Sequence, residues 1–175
     1  MTTTKRSNMS KAIFCAALAV LMLLSLTGCK SKTTKYKENL SQVVTEISEM
    51  NTDVTAAVTA LSTALESKDS ASYGAALQTL TEYSNTLKGK YQQLASGEVP
   101  EQFQEQAAEL KTHGDNLCKM LDDSIELYTI AGTALTAELT QEQIERITQL
   151  ETEIKELSTS ADSFDAILSE ILNSK

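Results

Sequence analysis

Few side chains in this chain are equipped for chemistry. His113 is the only histidine, and Glu109 precedes it by four residues, so on a helix the two share a face. A histidine beside a carboxylate is a first step towards a metal site or a general acid–base pair. Carboxylate-bridged di-metal bundles use Glu-x-x-His pairs on two helices plus further glutamates, and neither that spacing nor a second histidine is present. Asp122, Asp123 and Glu126 form a second acidic group. Paired carboxylates serve glycosidases, but those need a cleft that a narrow bundle rarely offers, and the group reads as a solvated helix face. No serine or cysteine stands in a nucleophile motif, and no Gly-rich phosphate loop or Cys-x-x-Cys-His haem site occurs. The sequence therefore assigns no catalytic, cofactor-binding or metal-ligating residue, and the chain reads as a non-enzyme.

Long helices must position whatever the chain does use. Apolar residues recur at 3–4 spacing in four stretches, from Leu40 to Leu65, Tyr73 to Leu94, Phe103 to Leu135 and Ile147 to Ile171. None alternates with period two, as a strand would. Punctuation agrees with this division: Asp69 or Ser70 can cap the second helix, Gly97 marks its end, and Pro100 marks the start of the third. Thr140 with Gln143 reads as a capping box for the fourth, and Leu139 with Ile144 as its hydrophobic staple. Gly132 can end the third helix early; otherwise that helix runs on to Leu139. The expected fold class is all-α, an antiparallel up-down-up-down four-helix bundle with coiled-coil-like heptad seams.

Asn51, Ser84 and Gly114 are among the seam positions that break the apolar pattern. Polar seam residues fix helix register in coiled coils, and a seam glycine lets helices approach closely. The other reading is a small polar pocket in the bundle core, lined by Asn51, Ser84 or Tyr91. Register is the favoured reading of the two.

The N-terminus differs in kind. Lys5, Arg6 and Lys11 precede an uncharged apolar stretch, Ala12 to Leu26, which ends in Leu26-Thr27-Gly28-Cys29. A basic segment followed by a short apolar one is the layout of a secretory signal. The tetrapeptide resembles the lipobox of bacterial lipoproteins. The resemblance covers residues 1–29 and implies cleavage before Cys29, acylation of that cysteine and an N-terminal lipid anchor in a bacterial membrane. The competing reading is an uncleaved membrane helix; both place residues 30–175 outside the cytoplasm. The expected organisation is a cleaved signal over 1–28, a lipidated Cys29 and basic tether over 29–37, and an acidic helical bundle over 38–175.

Charge is partitioned along the same lines. The formal net charge is −9, and removing the signal's three cations takes it to −12. Residues 30–37 carry four lysines and no acid, whereas residues 38–175 carry eight positive and 24 negative charges. The basic segment suits an anionic bilayer surface, and the acidic body argues against a nucleic-acid partner. With Cys15 removed and Cys29 acylated, Cys118 is the remaining thiol; it reads as a buried, inert one, the alternative being a bridge between chains. Two functions remain: a non-enzymatic interaction or structural module with a protein partner in the cell envelope, or a small-ligand carrier with a pocket in the bundle core. No cofactor is expected in either.

Overall fold

A computed structural model describes residues 31–95 and 97–174. Helix α1 (Lys32–Glu66) leads to α2 (Ser70–Ala95), then a 3-10 turn (Glu101–Phe103), α3 (Gln104–Thr133), α4 (Gln141–Leu157) and α5 (Thr159–Asn173). The protein is an all-α helical bundle, with no strand among the described residues. The signal, the lipidation site Cys29 and the proposed membrane helix over 12–29 lie outside the described residues. No described helix is long and apolar enough to cross a membrane.

Local chemistry sets the helix ends. Ser31 caps α1, its hydroxyl accepting from the Thr34 N–H at 3.1 Å. The helix therefore begins within the segment read as a tether, and Tyr36 is already buried in the core. α1 stops where Lys68 turns left-handed, at φ 56°, and Asp69 caps α2 by accepting from the N–H groups of Ala71 and Ser72. Thr140 and Gln143 form the reciprocal capping box at the start of α4. Ile144, read as half of a staple, is 46% exposed.

Contacts between neighbouring helices run in opposite order along the two helices of each pair. Lys32 meets Glu98 just beyond α2 while Glu46 meets Lys90, tying α1 to α2 and to the segment that follows it. Tyr73 meets Tyr128 while Lys88 meets Asp122, tying α2 to α3. Glu126 meets Arg146 while Gln106 meets Glu170, tying α3 to the α4–α5 arm. The Ser31 end of α1, the α2–α3 connection and Ser174 consequently share one end, and Lys37 donates to the Ser174 carbonyl there. The α1–α2 and α3–α4 connections form the opposite tip.

The core falls into two clusters. Near the Ser31 end, α1, α2, α3 and α5 interdigitate through Leu40, Ile47, Leu87, Leu110, Phe164 and Ile171 among others. Towards the tip the core thins to Ala57, Leu61, Ala64, Tyr73, Ala76 and Leu80, with α3 side chains against it. α4 packs on α3 and contributes only Leu150 to the fully buried set.

Two expectations need adjusting. The α1 seam should have ended on Val58, Leu61 and Leu65, but the buried positions are Ala57, Leu61 and Ala64, and Leu65 is 39% exposed. Near the tip α1 packs on α2 and α3 alone, and alanines admit a closer approach than larger side chains, so the buried stripe turns towards them. The fourth seam is also divided. At Ser158 the helix breaks, with Ser158 Oγ donating to the Lys155 carbonyl and Thr159 Oγ1 to that of Glu156. Such local side-chain bonds compete with the helical ladder.

Candidate functional site

Beyond Ser158, α5 packs into the bundle near the Ser31 end, where α1, α2 and α3 already converge. Ser160 is buried there, and its hydroxyl meets the Asn116 amide of α3 at 3.0 Å. One turn further on, the fit is incomplete. A partly enclosed cavity of ≈ 180 Å³ lies between α1 and α5, floored by α2 and α3. Its walls are mainly apolar: Val54, Leu117, Met120, Leu121, Phe164 and Leu168 are among them. Into this lining come three polar side chains, Asn51 of α1, Tyr91 of α2 and Asp165 of α5.

Each is held by its element. Asn51 sits on the α1 seam, where helical spacing turns it inward between Ile47 and Val54. The Tyr91 ring meets that of Phe164 edge to face, with centroids 5.4 Å apart and planes at 87°, a favoured aromatic arrangement that fixes both walls. Burial pushes the Tyr91 hydroxyl well above the usual phenol range, so it stays a neutral donor and acceptor. Asp165 follows Phe164 directly and makes no hydrogen bond or ion pair among the described residues. Burial, and then the neighbouring Asp162, raise its pKa from 3.8 to about 6.

Among the described residues, no cation pairs with Asp165. α1 has no basic residue between Lys37 and its end at Glu66, and α5 has none at all. Lys88 of α2 is committed to Asp122, Lys90 to Glu46, and on α3 Lys111 to Asp115 and Lys119 to Asp123 and Glu153.

The residues singled out by sequence divide. Asn51 and Tyr91 line the cavity, whereas Ser84, 2% exposed, lies outside it with its hydroxyl unpartnered. Gly114 is buried opposite Tyr91 and Phe164, and a Cβ there would sit 3.7 Å from Phe164 and 3.8 Å from Tyr91, an ordinary contact. Glu109 and His113 share a shallow groove between α3 and α5, and the buried His113 Nδ1 has no partner. No group of three or more His, Cys, Asp or Glu side chains among the described residues could hold a metal ion. Cys118 is partly buried against the Lys88 carbonyl, and burial raises its thiol pKa, which suppresses the reactive thiolate.

Asp122, Asp123 and Glu126 are not a plain solvated face. Asp122 pairs with Lys88 of α2 at 2.6 Å. Asp123 is buried and pairs with Lys119, which also reaches Glu153 of α4. Glu126 takes a two-pronged bond from Arg146, both distances 2.7 Å. These carboxylates fasten helices to one another, a use that spacing within one helix does not reveal. Asp165 escaped the sequence reading because it stands one position beside the seam; its signal was an acid four residues after Ala161, on a helix without cations.

Comparison with known protein families, curated proteins and solved structures finds no match to this chain.

Proposed function

We propose that this chain is a lipid-anchored, extracytoplasmic interaction module of the bacterial cell envelope, held by an acylated Cys29 and working by binding rather than by catalysis. One observation supports it best. The two large apolar side chains that are most exposed, Leu65 at the end of α1 and Ile144 at the start of α4, both sit at the tip. That tip is the end remote from Ser31, and α1 alone, with 35 residues, is roughly 52 Å long at 1.5 Å per residue. An anchor at one end and exposed apolar groups at the other suit a protein that holds a contact surface away from the membrane. A photo-crosslinking residue at position 65 or 144 in intact cells should yield one discrete protein adduct, while the same residue at the exposed Glu105, near the other end, should not. Equal labelling at all three positions would count against a partner at the tip.

A second reading is favoured by the cavity. An opening lined by Asn51, Tyr91 and Asp165 in the bundle core supports a carrier for a small ligand. An apolar cavity of about 150 Å³ is enough to hold benzene, so ≈ 180 Å³ sets the scale of what fits.

A further inference from the structure

We propose that the cavity between α1 and α5 binds a small organic cation, an ammonium group on a hydrocarbon body about the size of benzene, with Asp165 as its counter-ion. The inference rests on the carrier reading and names the ligand class. Apolar walls select the body: Val54, Leu121 and Leu168 offer no hydrogen-bond partner and exclude strongly hydrated ions. The charge is selected by what the cavity lacks. A carboxylate there loses part of its hydration; among the described residues α5 offers no cation and α1 none after Lys37, while the lysines of α2 and α3 are held elsewhere. A half-buried charge without a partner is costly, and a ligand that supplies the partner recovers part of that cost as affinity. The Asn51 amide oxygen can accept a further ammonium N–H, and the rings of Tyr91 and Phe164 favour a cation near their faces. An anionic or sugar-like ligand meets the opposite: repulsion from Asp165 and Asp162, and too few polar groups to replace its water.

The test uses the full chain in detergent at pH 8, with benzylammonium as the cationic probe and toluene as its neutral counterpart. Binding is read from chemical-shift changes of the Asn51 and Tyr91 side chains as each probe is titrated. Benzylammonium should bind the wild type, and Asp165→Asn should weaken it at least tenfold while leaving toluene unchanged. Ala161→Leu, which fills the cavity from its α5 wall, should abolish both. If both probes bind but benzylammonium is insensitive to Asp165→Asn, the cation proposal is overturned and the carrier reading stands. If neither probe binds, or Ala161→Leu alters neither, the carrier reading falls and the proposal with it.

Discussion

Asp165 is costly where it stands, and its cost depends on pH in a way that sets it apart from the other perturbed carboxylates. Its pKa in the folded protein is raised to about 6, so folding favours the protonated form. The stability it permits is complete below the ordinary carboxylate range and is lost as pH rises through about 6. The groups facing it add no relief: Asp162 on its own helix and the neutral Tyr91 of α2, with Cys118 of α3 behind Tyr91. Glu46, Glu126 and Glu153 behave oppositely, because bonds to Lys90, Arg146 and Lys119 hold their pKa values down. Their contribution is present above the ordinary range and is lost as pH falls. Asp165→Asn should therefore raise the unfolding midpoint at pH 8 and leave it nearly unchanged at pH 4. The gain should be about 1 kcal/mol once partial exposure is allowed for, or ~2–4 °C. Thermal melts of both proteins at the two pH values check this; an equal effect at both would show that the carboxylate's charge is not the cause.

At the scale of elements, two glycines on α3 carry opposite expectations. The sequence leaves the third helix two ends, a break at Gly132 or a run to Leu139, and α3 ends one residue after Gly132. Its backbone is not left-handed, however, and its reason lies in space: a Cβ there would stand 2.6 Å from the Tyr73 ring. That ring is pinned, since the Tyr73 hydroxyl donates to the Tyr128 carbonyl at 2.6 Å and the ring is buried in the tip cluster. Gly132→Ala should cost about 1–3 kcal/mol through overpacking. Gly114→Ala, which meets only ordinary contacts, should instead gain about 0.4–1 kcal/mol by restricting the unfolded chain and favouring helix. Urea unfolding of the two variants decides; a stable Gly132→Ala would mean that Tyr73 is free to move. Much at this scale was legible beforehand. The all-α class, the Asp69 and Thr140 caps and the end of α2 before Gly97 followed from periodicity and from side chains that satisfy free N–H groups. What escaped depends on partners far away in sequence. The turn of the α1 stripe onto Ala57 and Ala64 follows from which helices lie beside it, and the cavity exists because α5 fails to fill the space beside Asn51. The break at Ser158 did have an overlooked local sign, in the run Ser158-Thr159-Ser160.

For the molecule as a whole, orientation follows from where the fold starts. The α1 cap is Ser31, so only Lys30 separates the helix cap from Cys29, a chain length of roughly 7 Å at most. If Cys29 is acylated, the end bearing Lys32, Lys35 and Lys37 must sit at the headgroups, with no long tether between bilayer and bundle. Four lysines over residues 30–37 favour an anionic surface there, while the 24 acids further along are repelled by it. On an anchored chain, attraction at the base and repulsion along the shaft would both stand the bundle upright and hold Leu65 and Ile144 away from the membrane. This arrangement depends on the thiol of one residue. Cys29→Ser should leave an uncleaved precursor that takes up no labelled fatty acid, detectable by its larger mass. Because the mutation lies outside the described helices, the helical circular dichroism of the bundle should survive it, which separates loss of anchoring from loss of fold. A Cys29→Ser protein that is still cut before residue 29 and still acylated would remove the anchor, and with it the upright geometry on which presentation of the tip relies.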